Sequence, residues 1–171
     1  MRVSKSRIGG RRVRVLARAC LLVLVAGSLC TSGCGGRMPA ALAEGSGRLA
    51  PCPASPNCVS SEATDALHAI PAYRIRGDAG AAWAALVTHV RALPRVEIVT
   101  SEDDYLHAVF TTRLMRYRDD VELRLDAAAG VIDLRSASRV GYGDMGVNRE
   151  RMESIRAALV ADGFFEPSAD R

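Results

Sequence analysis

The sequence predicts an α+β domain, a mainly antiparallel sheet of about five strands with two helices packed on one face, in the order β-α-β-β-β-β-α. Three observations predict it. Apolar residues recur with helical spacing in two segments, 79–93 and 147–161. Four segments between them alternate apolar and polar residues with the period of a strand. Short turns join those four in pairs, so neighbouring strands must run antiparallel.

The elements follow in chain order. A short strand over 72–76 precedes Asp78, whose side chain can cap a helix that Pro94 stops. Trp83, Leu86, Val87 and Val90 fall on one face of that helix, which belongs in the core. Residues 96–101 turn at Asp103-Asp104 into a strand over 105–112. A second hairpin joins 119–126 to 131–138 across Ala127-Ala128-Ala129-Gly130. Met152, Ile155 and Leu159 line one face of the last helix, and Gly163 is a natural C-terminal cap.

Charge and hydrophobicity together set the register of the second hairpin. With a four-residue loop, Leu125 faces Ile132 and Leu123 faces Leu134 on one side, while Arg124 faces Asp133 and Glu122 faces Arg135 on the other. A slip of one residue destroys both matches. The same register sets Arg118 opposite Arg139.

Residues 1–18 hold seven basic side chains and no acidic one, and an apolar run from Ala19 to Leu29 follows. That run is too short for a bilayer core, which takes roughly 20 residues, but suits the apolar region of a signal peptide. Thr31-Ser32-Gly33-Cys34 resembles a lipobox, with Thr31 where Leu is usual. The expectation is a signal peptide over 1–33, a lipid on Cys34, a flexible tether to residue 50 and one domain over 51–167. Ala41-Leu42-Ala43 is a competing site for ordinary secretion, and Arg11-Arg12 lacks the following residues of a twin-arginine signal. The expected location is the periplasmic side of the cell envelope, lipid-anchored to a membrane.

Export changes the charge argument. The full chain has 23 basic and 19 acidic residues, but without the seven at its start 16 basic residues face 19 acidic ones, a net of −3. A nucleic-acid partner therefore loses its electrostatic drive. Of five cysteines, Cys20 and Cys30 leave with the signal and Cys34 takes the lipid, so Cys52 and Cys58 remain as a disulfide pair for an oxidising compartment. A metal at this pair would need two more ligands, and the spacing of His68, His89 and His107 does not converge on it. No cofactor motif is present.

Cys52-Pro53, then Ser55-Pro56-Asn57-Cys58-Val59-Ser60-Ser61, then Asp119-Asp120-Val121-Glu122, then Arg135-Ser136-Ala137-Ser138-Arg139-Val140-Gly141-Tyr142 leading to Asp144 and Gly146-Val147-Asn148-Arg149, form a distinctive series. Through it the chain resembles the bacterial and plastid family called domain of unknown function 1499. The resemblance covers the whole domain. It implies a family and a compartment, but no known activity and no catalytic residue.

Two functions of different class remain. Arg118, Arg139, Ser138 and Arg149 could form an anion site, because guanidinium forks and a helix start hold anions and two facing arginines need an acidic neighbour or a bound anion. Against that, Arg135 can be satisfied by Glu122, Arg139 by Asp119 or Asp144, and Asp144 or Asn148 can simply cap the helix. The favoured expectation is a membrane-tethered, non-catalytic binding or adaptor module. The alternative is a small envelope hydrolase using His107 with Ser60, Ser61, Ser136 or Ser138. His107 shares a strand face with Tyr105 and Val109, where packing is the commoner role.

Overall fold

The computed structural model describes residues 48–168. The expected signal peptide, Cys34 and nearly all of the tether lie outside the described residues. In order the elements are β1 (Cys58–Ser60), β2 (Tyr73–Arg74), α1 (Ala79–Ala92), β3 (Val96–Ser101), β4 (Tyr105–Thr111), β5 (Arg118–Asp126), β6 (Val131–Ser138) and α2 (Val147–Ala161). The fold is the predicted α+β arrangement, an antiparallel sheet with both helices on one face.

Six strands form the sheet, in the order β1-β6-β5-β4-β3, with β2 also on β6. β1 pairs with Arg135 to Ala137 and β2 with Val131 and Ile132, so two short strands share the outer edge of β6. β1 accounts for the difference from the expected five strands. It is three residues long inside a segment rich in Pro and Ser, too short to show an alternation. The expected strand over 72–76 shrinks to two residues, with Ile75 making only an isolated bridge to Phe165.

The long hairpins obey the expected register. Leu125 lies opposite Ile132, Leu123 opposite Leu134, Arg124 opposite Asp133 and Glu122 opposite Arg135. Arg139 N donates to Arg118 O at 3.0 Å, extending the ladder by the expected facing pair. β3 and β4 pair with a bulge between Ile98 and Thr100.

One face of the sheet presents Leu106, Ala108, Phe110, Val121, Leu123, Ile132 and Leu134 to Trp83, Leu86 and Val90 of α1 and Met152, Ile155 and Leu159 of α2. Asp78 caps α1, accepting from Ala81 N at 2.7 Å. α2 closes at Gly163, whose φ of 83° favours glycine, and Phe164 N donates to Leu159 O at 2.9 Å. Tyr73 lies in the same core with its hydroxyl donating to Met152 O at 2.8 Å, and burial pushes its ionisation up. Among the described residues no helix is long and apolar enough to cross a membrane.

Cys52 and Cys58 are joined, with Cα atoms 5.7 Å apart, and tie the start of the domain to β1. Closing so short a loop stabilises the fold by about 2 kcal/mol through lost chain entropy in the unfolded state. Thiol labelling of the unreduced, unfolded protein should find neither cysteine. Replacing Cys52 and Cys58 together by Ala should lower the urea-unfolding free energy by about 2 kcal/mol. Quantitative labelling of both thiols would contradict the bridge.

Candidate functional site

β5 carries two consecutive aspartates directly after its first residue, Arg118, and strand geometry sends them to opposite faces of the sheet. Both are buried, so each must find cationic or donor partners on its own side. The two sides are built differently.

On the helix side, Asp119 accepts from Arg151 of α2, through Oδ2 and Nη2 at 2.5 Å. The Arg151 guanidinium lies 4.8 Å from the Phe110 ring centre and also donates to Ser136 Oγ and Asn148 Oδ1. Asn148 is the hub. Its Nδ2 donates to Asn57 O, Ser138 Oγ and Asp144 Oδ2, while its Oδ1 also accepts from Ser136 Oγ at 2.6 Å. Asp144 in turn accepts from the backbone N–H groups of Gly146 and Asn148 at 3.0 and 2.8 Å. Burial alone would raise the Asp144 carboxyl, but these bonds outweigh it and hold it below the ordinary 3.8. Asp144 thus opens α2 from outside the helix, and Asn148 cross-links the residue before β1, β6 and the loop before α2.

On the opposite face, His107 Nε2 and Asp120 Oδ1 are 2.8 Å apart. A carboxylate only accepts, so Nε2 carries the proton. Arg139 closes the same carboxylate with two bonds of 2.8 Å, from Nε to Oδ2 and from Nη2 to Oδ1. Burial pushes Asp120 up, but the His107 and Arg139 bonds prevail and its carboxyl lies below 3.8. The bond to Asp120 likewise raises Arg139. One strand pair along, Glu122 accepts from Tyr105 Oη at 3.0 Å and from Arg135 Nη1 at 2.9 Å. Burial, then the charge of Glu122, pushes the Tyr105 hydroxyl up, and Arg124 lies 5.1 Å from its ring centre.

The four residues expected to hold an anion do not converge on one point. Arg118 reaches Glu97 from the helix-free face at 2.6 Å, and Arg139 is on that face with Asp120. Ser138 faces the helices and meets Asn148, and Arg149 donates to Leu67 O at 3.2 Å. Alternation along β6 is the reason, since Ser138 and Arg139 are neighbours in sequence and must point opposite ways. Arg135 does pair with Glu122 as expected, whereas the partner of Arg139 is Asp120 rather than Asp119 or Asp144.

None of the candidate serines is hydrogen-bonded to His107 among the described residues. Ser61 donates to Asp133, Ser136 donates to Asn148, Ser138 accepts from Asn148, and Ser60 accepts from Glu62 N. No group of three metal-ligating side chains is present among the described residues. Sequence reasoning passed over Arg151 and Asp120. The signal that could have found them was Asp119-Asp120 itself, two acids in succession on a buried strand that require arginines on both sides.

An antiparallel sheet with one helix-covered face and one face of buried ion pairs defines a small α+β domain. The chain belongs to the family described as "Protein of unknown function (DUF1499)", whose model matches residues 48–159. Neither the curated proteins nor the solved structures contain a match to it.

Because Asp120 titrates lower when folded than the unfolded value near 3.9, its contribution is fully present above that value and fades as pH falls through the lowered one. Asp120→Asn strands the Arg139 guanidinium, whose side chain is only 5% exposed, and should cost about 3–5 kcal/mol at pH 7. The gap between variant and wild type should narrow at pH 3. Urea titrations at both pH values decide it, and an equal gap at both would remove Asp120 from the acid limb.

Proposed function

We propose that this protein is an exported, non-catalytic binding or adaptor module of the cell envelope, tethered to the membrane by a lipid on Cys34, that takes a partner with an anionic group. The observation that carries the non-catalytic reading is the closure of Asp120 on Arg139. In a hydrolase triad an acid orients the imidazole and the imidazole meets a hydroxyl. Here the acid is shared with a guanidinium and the imidazole is buried within the sheet.

The anion reading now rests on Arg118 and Arg139 of the helix-free face. Arg118 Nε is buried with no hydrogen-bond partner among the described residues, and its other bond goes to a largely exposed Glu97. An anion that displaced Glu97 would satisfy that donor. A hydrolase using His107 is the second reading, favoured by the carboxylate 2.8 Å from its imidazole. His107→Gln leaves binding intact if the first reading holds, and abolishes ester cleavage if the second does.

Mass spectrometry of the mature N-terminus should find diacylated Cys34, and a free N-terminus at Glu44 would replace the anchor by ordinary secretion. Saturating phosphate should raise the melting temperature of the wild type at matched ionic strength, and raise that of Arg118→Gln less, because a ligand stabilises the state it binds. Equal shifts in the two proteins would return Arg118 to a structural role.

A further inference from the structure

The most exposed apolar side chains of the domain lie on two loops rooted at one end of the sheet, while Leu67 and Val99, also exposed, lie outside them. The β4–β5 turn leaves at Thr111 and returns at Arg118, which pair with each other, and the chain leaving β6 passes beside Arg118 through the bond from Arg139 N. The turn and the β6–α2 loop are therefore rooted on adjacent strands, about 4.8 Å apart. At their tips Leu114 is 87% exposed, Met115 58%, Tyr142 78% and Met145 102%. Water is a poor environment for such side chains, and exposed apolar groups on loops with adjacent roots suit an interaction surface.

Both loops are held in shape by their own hydrogen bonds. Thr112 N donates to Tyr117 O at 2.9 Å and Tyr117 N to Thr112 Oγ1 at 2.8 Å, closing a tip of four residues, Arg113 to Arg116. Asn57 Nδ2 donates to Gly141 O at 2.7 Å, and Asp144 gathers the N–H groups after it. Arg116 and Met145 have φ of 57° and 55°, a left-handed conformation that side chains bearing a Cβ seldom adopt. Each loop thus fixes its apolar side chains outward at the cost of local strain instead of folding them back.

Charge decides the partner. The tip carries Arg113 and Arg116, both exposed and without an acidic residue between them, and exposed Arg95 stands at the same end, its Nε donating to Thr111 O. The one acid of the β6–α2 loop, Asp144, is already engaged by backbone donors. Apolar tips flanked by arginines, with an exposed tyrosine of the kind that favours the water–hydrocarbon boundary, match a bilayer with anionic headgroups. We infer that this end of the sheet docks on an anionic membrane surface, with Leu114, Met115, Tyr142 and Met145 entering the headgroup boundary and Arg113 and Arg116 on phosphates. The inference deepens the membrane-tethered reading and rests on it for its compartment. The tether from Cys34 to the first described residue, fully extended, spans at most about 50 Å, so an anchored domain stays within reach of the surface.

The mature full chain, added to vesicles, tests it. Environment-sensitive fluorophores are placed singly at Leu114→Cys, at Met145→Cys and, on the exposed turn at the far end of the sheet, at Ala128→Cys. With phosphatidylglycerol vesicles the first two probes should shift to the blue and be quenched by brominated acyl chains, while the third stays in water. Phosphatidylcholine vesicles, raised salt, or Arg113→Glu with Arg116→Glu should each reduce the shift at least severalfold. Probes at Leu114 and Met145 that behave like the one at Ala128 in every vesicle overturn the docking, as does insertion that the double charge reversal leaves unchanged. The anchor is scored separately by the N-terminal mass. A lipidated chain with solvated probes rejects docking and keeps the anchor; an unlipidated chain with inserted probes does the reverse.

Discussion

Two adjacent aspartates at the head of the central strand constrain the rest of this fold. A buried carboxylate without a partner costs several kcal/mol, so β5 is stable only where cations meet it on both faces. Arg151 must come from α2 on one side and Arg139 from the end of β6 on the other. The requirement ties the first turns of α2 and the end of β6 to β5, across a loop that holds three glycines and Asp144. Asn148 then completes the arrangement by using all of its amide hydrogen-bonding capacity within the core.

The two faces of the sheet are stabilised by different physics. The helix face gains from apolar burial, which has no direction and tolerates small shifts. The other face gains from ion pairs whose geometry is strict. Buried pairs of this kind contribute little net free energy over well-packed apolar residues, because desolvation offsets most of the attraction. Their effect is on specificity: a one-residue slip between β5 and β6 would bury Glu122 and Arg135 without each other. On that face Asp120 is taken up by His107 and Arg139, and Glu122 by Tyr105 and Arg135.

The loops at the end of the sheet show how a small domain can display reactive surface without loosening its core. The β4–β5 turn and the β6–α2 loop are both closed by short hydrogen-bonded links immediately above a fully paired ladder. Loops held this way have little backbone entropy left to lose on contact, although each exposed methionine or leucine would still lose rotamer freedom.

The sequence by itself determined the element order, both helices, the register of the long hairpin and the pairing of Glu122 with Arg135. Each rests on local periodicity or on neighbours across a tight turn, and both are written in short stretches of chain. It also marked the cysteine pair and the motifs that identify the family. Tertiary structure alone decided that β1 joins the outer edge of β6, because a three-residue strand has no period to read and is placed by its partner. It decided too that Ser138, Arg139 and Arg149 part company. Whether side chains from a strand, a loop and a helix converge depends on which face each one leaves from and on competing partners such as Asp120 and Leu67, which lie 19 residues before Arg139 and 82 before Arg149. No local pattern carries information over such separations, so the charge partners emerged only when the sheet and helix were brought together.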